Sequence, residues 1–426
     1  MTERQQRIGS RTVRGRWAGI TVVGGVALAL ALPAGATAQP SADTEPDPVV
    51  TAQGGGGNPE VDLCGFKGCR KHGEVVKVMT RNIFLGADLG PALGSADVSE
   101  FIRINGEILK QVDAPNMAVR SRGLAKEIRK ARADVVGLQE VALWRTGPVN
   151  LEAALNQEPV ATNVYQDFLK ILMKRLNKNK KRYRVVHVKD QFDFEGPADT
   201  DGDMSTGILG AEINGRFTMR DAVIVRRGEH IRVKNIRSKH YKNHYSSGLA
   251  GVLTVEVDRG WQSMKIKVRK SPWFRFSNTH LEAFDDRTEV PSIRAKQAKE
   301  FVKKVKRGTQ PNIAVGDFNS DYPGLVPGDE QAFLVMTAKG FDAIGTTNPW
   351  SCCIQDSYDL TDRTKRDFDH RVDQVFTSTI DRVRLIKSWV TGRKKESGYW
   401  NSDHAGVVAK VLVLRKSAAV ANGGLG

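Results

Sequence analysis

The sequence predicts an α/β protein in which two β-sheets pack face to face and carry helices on their outer surfaces. Short apolar segments bounded by turn residues alternate with longer amphipathic segments, the pattern of strands alternating with helices. Of the 426 residues, 40% are hydrophobic and 27% are charged, which is enough apolar material for a sizeable core. Polar side chains repeatedly follow the predicted strands, which indicates functional groups gathered at one rim of the sheets.

The first residues have the composition of an export signal. Scattered arginines precede an apolar run over residues 20–32, and a small-x-small sequence ends at Ala38. Because this run is shorter than the roughly 20 residues that cross a bilayer, we expect a signal peptide over residues 1–38 rather than a retained anchor. The arginines include no adjacent pair, which favours general secretion over twin-arginine export. The predicted location is therefore extracellular.

The remainder of the chain is predicted to contain one folded domain. Residues 39–58 are rich in Pro, Asp, Thr and Gly and lack a hydrophobic period, so a flexible leader is expected over residues 39–73. Residues 74–415 hold the folded domain, and residues 416–426 form a loose tail. No internal repeat indicates a solenoid.

Four cysteines in an exported chain indicate two disulfides, and four cysteines permit three pairings. Cys64 and Cys69 lie close together in the sequence, and Cys352 and Cys353 are adjacent. Either each pair closes locally, which makes a vicinal bridge of the second, or the leader is joined to the 352–353 segment. Spacing leaves both arrangements open. A zinc site is disfavoured, because export oxidises thiols and no histidine spacing completes a ligand set.

The chain is strongly basic, with a formal net charge of +17, and it keeps most of this charge after the signal peptide is removed. Such a charge favours polyanionic partners, either nucleic acid or an anionic membrane surface, through long-range attraction and counterion release. The alternative is that basicity only keeps a secreted protein soluble.

The first half of the domain is predicted to begin with a strand at residues 75–79 that continues to Asn82. Helical spacing follows over residues 99–112 and 116–131, and the second helix ends in basic side chains suited to a helix C-terminus. A short buried strand is then predicted at residues 134–138, ending at Gln139 and Glu140.

The second half repeats this arrangement. A strand is predicted at residues 274–280, a basic amphipathic helix at 292–306 and a strand at 312–315 that runs into the Gly-Asp-Phe-Asn sequence. The last strands are predicted at residues 372–376 and 407–414.

The polar residues at the strand ends form one candidate site. They are Asn82, Glu140, His280, Asp317, Asn319, Asp373, Asp403 and His404. Their oxygen atoms suit the hard cations Mg²⁺, Mn²⁺ or Ca²⁺ rather than zinc. The histidines are suited to acid–base roles around a phosphate.

Six segments of the chain, spread over residues 75–414, carry a resemblance to a known family. They are Thr80-Arg81-Asn82, Leu138-Gln139-Glu140, Asn278-Thr279-His280-Leu281-Glu282, Gly316-Asp317-Phe318-Asn319-Ser320, Arg371-Val372-Asp373-Gln374-Val375-Phe376 and Ser402-Asp403-His404. In sequence and in order they resemble the motifs of the endonuclease/exonuclease/phosphatase superfamily. That superfamily includes pancreatic-type deoxyribonucleases, abasic-site endonucleases, bacterial sphingomyelinases and inositol phosphatases. The resemblance implies a four-layered α/β/β/α sandwich of two mainly antiparallel sheets flanked by helices.

The resemblance also implies how the site binds metal. Asn82 and Glu140 would hold the divalent cation, and Asp403 would lie near a second metal position or support the first. The cation would polarise the phosphoryl oxygen and stabilise the charge that develops in the transition state. The implied activity is metal-dependent hydrolysis of a phosphoric ester.

The remaining residues receive catalytic roles from the same resemblance. Asp317 would orient or deprotonate the attacking water, and Asn319 would donate a hydrogen bond to the phosphoryl group. His404, oriented by Asp373, would contact the phosphate or act as the general base, because a neighbouring anion fixes its tautomer and raises its pKa. His280 would assist the leaving oxygen or bind the phosphate, although a strand histidine is also often structural.

Two regions have an open interpretation. Members of the family often carry an aromatic or polar residue before the strand that corresponds to residues 220–225. No tyrosine equivalent is identified here, and Asp221 or Arg220 is the candidate for that place. The acidic stretch at residues 199–203 suggests calcium, but its glycine is misplaced for an EF-hand loop, and a solvated turn is the preferred interpretation.

The sequence leaves three classes of function open. A nuclease acting on DNA or RNA comes first, because residues 174–184 and 232–244 are dense in basic side chains. A phospholipase C or sphingomyelinase type comes second, with Trp273, Phe274 and Trp350 as candidates for membrane contact. A non-catalytic binding module is the third, and the intact set of acidic and histidine positions disfavours it. We expect a monomer.

Overall fold

The computed structural model describes residues 73–415, apart from residues 151, 154–157, 229, 252, 285–288, 307, 346–349, 355–358 and 362–367. The predicted signal peptide, the leader up to residue 72 with Cys64 and Cys69, and the predicted tail lie outside the described residues. Among the described residues, no helix is long and apolar enough to span a membrane.

The first sheet has eight strands. They are β1 (Gly73–Asn82), β2 (Val135–Gln139), β3 (Leu143–Pro148), β4 (Asn163–Asp167), β5 (Tyr183–Ala198), β6 (Ile213–Arg226), β15 (Val383–Thr391) and β16 (Gly406–Leu414). Their order is β15-β16-β1-β2-β6-β3-β4, and β5 pairs with β6. Only β1 and β2 run parallel, with Asn82 beside Gln139, so the carboxyl ends of these two strands lie together.

The second sheet has six strands in the order β13-β14-β12-β11-β10-β7. They are β7 (Ile231–His240), β10 (Gly260–Val268), β11 (Phe274–His280), β12 (Asn312–Asp317), β13 (Asp342–Ala343) and β14 (Asp373–Thr377). Strands β11 and β12 run parallel, which sets His280 beside Asp317, and Asp317 in turn faces Asp373 on β14. A separate hairpin is formed by β8 (Tyr245–Leu249) and β9 (Leu253–Val257).

Helices cover the outer faces of both sheets. They are α1 (Gly90–Leu93), α2 (Val98–Asp113), α3 (Met117–Ala131), α4 (Phe168–Leu176), α5 (Ile293–Val305) and α6 (Gln331–Ala338). Four of them begin where a side chain accepts a hydrogen bond from the first turn: Asp97 caps α2, Asn116 caps α3, Asp167 caps α4 and Ser292 caps α5. These local signals explain why the predicted helix boundaries fall within about two residues of the observed ones.

Three apolar clusters separate the four layers. Helices α2, α3 and α4 pack on the outer face of the first sheet, and helices α5 and α6 pack on the outer face of the second. Between the sheets, β-branched side chains of the first sheet meet Met264, Phe274 and Phe276 of the second. This architecture confirms the predicted α/β/β/α sandwich, and it buries one face of each helix and both faces of the central strands.

A polar layer joins the two sheets directly below the rim. Gln139 Nε2 donates to Asn278 Oδ1 at 2.6 Å, and Asn278 Nδ2 donates to Gln262 Oε1 at 3.0 Å. The close approach requires glycine at position 137, because a Cβ atom there would lie 2.3 Å from Asn278 Oδ1. These paired amides fix the relative position of the sheets at the level where the candidate site begins.

Candidate active site

The fold brings the predicted residues of the candidate site to one rim. Asn82 ends β1, Glu140 follows β2, His280 ends β11 and Asp317 ends β12. Asp373 begins β14, while Asp403 and His404 precede β16. The carboxyl ends of two parallel pairs and the amino ends of two antiparallel neighbours therefore meet, which is why positions more than 300 residues apart in the chain become neighbours.

Asn82 lies at the centre of this group. Its Nδ2 donates to Glu140 Oε1 at 2.8 Å and to Asp317 Oδ2 at 3.0 Å, and it lies 3.4 Å from His404 Nε2. Its Oδ1 accepts a hydrogen bond from the backbone N–H of Phe84. One amide thus links residues of both sheets.

Glu140 is held from two sides. Its Oε2 accepts a hydrogen bond from the backbone N–H of Leu85 at 2.8 Å, while Oε1 faces Asn82. Its backbone has a φ of 56°, a left-handed conformation that is uncommon for a side chain of this size. Burial and the nearby charge of Asp403 raise the pKa of Glu140 to about 7. Both features are typical of a functional position.

His404 forms the carboxylate–histidine pair of the site. Its Nδ1 lies 2.9 Å from Asp373 Oδ2, and its Nε2 lies 3.6 Å from Asp317 Oδ2. Burial acts to lower the pKa of His404, but the negative charges of Asp373, Asp317 and Asp403 together raise it well above the usual value. These charges favour the protonated ring, with Nδ1–H directed at Asp373.

His280 has the opposite electrostatic character. Its Nε2 lies 3.7 Å from Asp317 Oδ2 and 3.9 Å from Glu140 Oε1. Burial and the positive charge of Arg259 lower the pKa of His280 to about 3. The structure therefore places His280 at the site, but as a neutral ring and not as an imidazolium that would bind phosphate by charge.

Asp317 and Asn319 occupy the turn that leaves β12. Asp317 Oδ1 accepts a hydrogen bond from the backbone N–H of Asn319, and Asn319 Nδ2 donates to the backbone oxygen of Leu281. Burial acts to raise the pKa of Asp317, but His404, His280 and the hydrogen bonds outweigh it, so that the pKa is lowered. Asp317 is therefore ionised, and one N–H of the Asn319 amide remains available to a ligand.

Asp403 lies beside this group and is only partly buried. Its Oδ1 accepts a hydrogen bond from Ser402 Oγ at 3.1 Å, and the Ser402 hydroxyl also lies 3.0 Å from the backbone oxygen of Asn82. Its charge acts on Glu140, His404 and Arg120.

The donor set fits a divalent cation. Ligand atoms of Glu140, Asp317 and His404 all lie within 4.8 Å of one another, and Asp373 Oδ1 is buried without a hydrogen-bond partner. Four carboxylates share this rim, and their mutual repulsion would be relieved by a bound cation. Carboxylate and amide oxygens are the ligands that Mg²⁺, Mn²⁺ and Ca²⁺ prefer.

The structure adds residues that the sequence did not reveal as part of the site. Arg259 is buried, with Nη1 3.3 Å from His280 Nδ1 and Nη2 3.2 Å from Glu282 Oε1. Glu282 is the last of the five residues in the motif that contains His280. Its part in the site, which is to hold Arg259 beside His280, is visible only from this ion pair. Arg259 follows a short hairpin strand and carries no motif, so nothing in the sequence singles it out.

Buried arginines hold the loops of the rim in place. Arg81 forms an ion pair with Glu127 at 3.0 Å and donates to the backbone oxygen of His404 at 2.6 Å. Arg120 donates to the backbone oxygens of Ile83 and Asn401. These contacts tie helix α3 to the segments that carry Asn82 and His404.

Arg220 and Asp221 point to different sides of β6. Arg220 donates to the backbone oxygens of Val141 and Ala142, so it positions the segment that follows Glu140. Asp221 Oδ2 accepts a hydrogen bond from Gln191 Nε2 at 2.7 Å, and burial raises the pKa of Asp221 to about 7.

The cysteine pair lies at the same rim. The sulfur atoms of Cys352 and Cys353 are within bonding distance, and Cys352 Sγ lies 3.4 Å from His404 Nε2. No pattern in the sequence indicates that this pair adjoins the site, because only the tertiary structure brings the segment before residue 354 against the loop that carries His404.

The first basic segment and Trp273 lie at the opposite end of the sandwich. Tyr183 pairs with Arg226, and its hydroxyl donates to the backbone oxygen of Ala133, so residues 174–184 adjoin the start of β2. The length of β2 separates them from Glu140 by roughly 15–20 Å. Trp273 precedes β11, and Lys234 Nζ lies 4.3 Å from the centroid of its ring. Neither feature adjoins the site.

The acidic stretch after β5 forms a compact turn. Ligand atoms of Asp199, Asp201 and Glu212 lie within 4.8 Å of one another. Their oxygen atoms accept hydrogen bonds from the turn itself, including Gly202 N–H to Asp199 and Thr200 N–H to Glu212. These local hydrogen bonds are consistent with the preferred interpretation, a solvated turn.

A rim of buried carboxylates with a carboxylate–histidine pair, built on two packed sheets, defines a hydrolase site of the metal-dependent class. The family model described as "Endonuclease/Exonuclease/phosphatase family" matches residues 103–414. The chain belongs to this family and is a metal-dependent phosphoric ester hydrolase. Both the predicted family and the predicted enzyme class are thereby confirmed.

Several solved structures are similar to the chain in fold. A family protein from Leptotrichia buccalis C-1013-b has a TM-score of 0.47 and 15% identity, covering 79% of this chain and 99% of its own. One from Bacteroides vulgatus has a TM-score of 0.45 and 14% identity, covering 80% and 99%. TDP2 of D. rerio, complexed with a single-strand DNA product, has a TM-score of 0.44 and 15% identity, covering 79% and 99%. No curated protein matches the chain.

Proposed function

We propose that this chain is a secreted phosphodiesterase that uses Mg²⁺ or a similar divalent cation. The observation that carries the proposal is the cluster in which Asn82 links Glu140 to Asp317, while Asp373 orients His404. This arrangement offers oxygen ligands, an ionised carboxylate and an oriented imidazolium within one rim, which is the set that hydrolysis of a phosphate ester requires.

Glu140 and Asn82 would hold the cation, with Asp403 beside them. Rotation of the Asn82 amide by half a turn exchanges Nδ2 for Oδ1 and presents an oxygen to the position between the carboxylates. The raised pKa of Glu140 is consistent with this role, because a cation would replace the proton that burial favours. When bound, the cation supplies Lewis-acid stabilisation of the phosphoryl oxygens.

The remaining residues would manage protons and orientation. Asp317, kept ionised by its neighbours, would accept a hydrogen bond from the attacking water and orient it. His404 would donate from Nε2 to a phosphate oxygen, since Asp373 holds its Nδ1–H. Asn319 would donate its second N–H to the phosphoryl group. His280, as a neutral ring, would donate a hydrogen bond toward the leaving oxygen.

Two substrate classes remain under this proposal. Nucleic acid is supported by the basic net charge, most of which the chain keeps after residues 1–38 are removed. It is also supported by the basic segment at residues 232–244, because His240 and His280 both pair with Gly260 and the end of β7 therefore lies near the site. The basic residues 174–184 do not support a nucleic-acid substrate, because they lie at the end of the sandwich opposite the site. A lipid headgroup phosphodiester is supported by Trp350, which is 39% exposed and immediately precedes the segment that reaches His404.

Export belongs to the same proposal. The order of basic, apolar and small residues over residues 1–38 supports secretion. The four cysteines fit the same proposal, because an extracellular location would preserve disulfides. A monomer with Mg²⁺ as the working ion remains the expectation.

The test uses purified protein with Mg²⁺, assayed for nicking of supercoiled plasmid and for phosphocholine release from sphingomyelin vesicles, each with and without chelator. Chelator-sensitive turnover in either assay supports the phosphodiesterase. Nicking alone assigns nucleic acid, and headgroup release alone assigns the lipid class. Turnover that persists in chelator, or silence with both substrates and with soluble phosphodiesters, would contradict the proposal.

A further inference from the structure

An apolar cavity opens beside the candidate active site. It has a volume of about 420 Å³ and lies between helices α1 and α2, the β5–β6 strands and the β8–β9 hairpin. Glu140, Asp403 and Arg259 line the same cavity, so it is continuous with the rim that holds the catalytic groups. This volume is within the range of small-molecule sites in proteins, about 300–1,000 Å³.

The walls of the cavity present apolar surface. They include Leu93, Phe101, Trp144, Phe194, Phe217 and Val255. The rings of Trp144 and Phe217 pack at a tilt of 35° with centroids 4.6 Å apart, and Phe101 meets Phe194 edge to face at 6.0 Å. These aromatic contacts fix the wall side chains, so the cavity is formed before a ligand enters.

Two polar side chains of the wall already donate hydrogen bonds within the protein. Trp144 Nε1 donates to the backbone oxygen of Leu85 at 2.9 Å, and Asn105 Nδ2 donates to the backbone oxygen of Pro197 at 3.0 Å. Reading of a base or a sugar requires hydrogen bonds to its edges, and these groups do not offer them. An alkyl chain requires none.

The charges at the cavity mouth also disfavour a nucleic-acid strand. Glu140 and Asp403 are acidic, and Arg259, the one basic residue among the described residues that line the cavity, forms an ion pair with the buried Glu282. A strand would need a basic groove that follows its backbone. A substrate with a single phosphodiester at the rim and an uncharged chain in the cavity avoids this repulsion.

We propose that the cavity binds one acyl or alkyl chain of a lipid phosphodiester, whose phosphate lies at the Glu140–His404 rim. This inference rests on the proposed phosphodiesterase function and names its substrate class. The chain enters between α2 and the β5–β6 strands, and the scissile phosphate stays with the catalytic groups. The cavity therefore selects substrates by the length of their chain.

The experiment uses the complete protein with Mg²⁺ and soluble phosphocholine esters. Glycerophosphocholine carries no chain, and lysophosphatidylcholines with butanoyl, hexanoyl, octanoyl and decanoyl chains are assayed below the concentration at which they aggregate. Phosphorus NMR detects cleavage on either side of the phosphorus. Each methylene that enters the cavity is expected to raise kcat/KM about fourfold, until the cavity is filled and the rate reaches a plateau.

Variants assign the chain-length dependence to the cavity. Leu93→Asp places a charge in the wall and is expected to abolish the ratio of decanoyl to butanoyl rates. Leu334→Asp is the matched control, because Leu334 is 45% exposed on α6 and does not line the cavity. This variant should show the same ratio of decanoyl to butanoyl rates as the wild type. Leu89→Trp narrows the cavity, adds no charge and should move the plateau to shorter chains.

The outcomes separate this inference from the proposed function. The inference is supported if kcat/KM rises with chain length in the wild type and this rise is lost in Leu93→Asp. If Leu93→Asp fails to fold, a plateau at shorter chains in Leu89→Trp supports it instead. Equal rates at every chain length, or plasmid nicking without cleavage of any choline ester, overturn the inference and leave the phosphodiesterase intact. No Mg²⁺-dependent turnover of any phosphodiester would refute both.

Discussion

The two ends of the sandwich contrast in the kind of charge that they carry. At the rim that carries the candidate site, carboxylates such as Asp317 and Asp373 are buried and held by hydrogen bonds. At the opposite end, residues 178–182 are exposed and mostly basic. The exposed basic residues act mainly through their summed charge, because water and salt screen the interactions between individual charges. The buried carboxylates of the rim interact strongly with their neighbours, so the net charge of the chain says nothing about their behaviour.

The largest effect is expected from the rim. We predict that His404→Ala lowers kcat about 10²–10⁴-fold on a soluble phosphodiester with Mg²⁺, because an oriented proton donor to the phosphate is lost. The control is Lys180→Ala at the opposite end, which should retain the wild-type kcat. A loss of similar size in both variants would remove the contrast between the two ends.

A smaller effect is expected when the orientation of His404 is disturbed. Asp373→Asn should lower kcat about 10–100-fold, since the amide no longer holds Nδ1–H with a full charge. Asp373 is one of the charges that raise the pKa of His404, so its removal lowers that pKa. The loss of activity at alkaline pH should therefore begin at a lower pH than in the wild type. An unchanged pH profile of kcat would argue that Asp373 is structural only.

The third prediction concerns stability and its dependence on pH. Burial raises the pKa of Asp221 from 3.8 to about 7, so the folded protein binds a proton that the unfolded chain releases above about pH 4. This contribution to the free energy of unfolding is present at pH 4 and is lost as pH rises to about 7. Asp221→Asn should match the wild type near pH 4 and exceed it by a few kcal/mol near pH 8.

Chemical denaturation at both pH values measures this difference. Asn235→Asp, an exposed change on edge strand β7, provides a control that should show no such pH dependence. If Asp221→Asn is destabilising at pH 8, the carboxylate is ionised and paired in the folded protein, and the contrast between buried and exposed charge is weaker than the structure indicates.

The smallest effect is expected at the opposite end. Changing Lys178, Lys180 and Lys181 together to Gln removes exposed charges, and the free energy of unfolding should change by no more than about 0.5 kcal/mol per site. If plasmid is a substrate, the salt dependence of nicking should also stay the same, because these residues lie on the far side from the rim. A flatter salt dependence would show that the strand reaches both ends.

Much of the fold was predictable because its signals are local. The helix from Val98 to Asp113 is amphipathic and begins at the capping residue Asp97, and β2 is a short apolar run that is buried throughout. The motif residues of the site were predictable for a related reason, since each lies at or near one end of a strand that is visible in the sequence. Arg259 and Cys352 were not, because their relation to His280 and His404 exists only between distant segments.

The sequence by itself determined the layered α/β architecture, the family and the residues that gather at the rim, because strand and helix periods and short motifs are properties of neighbouring residues. Only the tertiary structure decided that the pKa of His404 is raised and that of His280 is lowered, since the pKa of each depends on burial and on charges brought from other strands. It also decided that the basic segment at residues 174–184 lies away from the site and that an apolar cavity adjoins it. Those features arise from packing between elements, which no local pattern encodes.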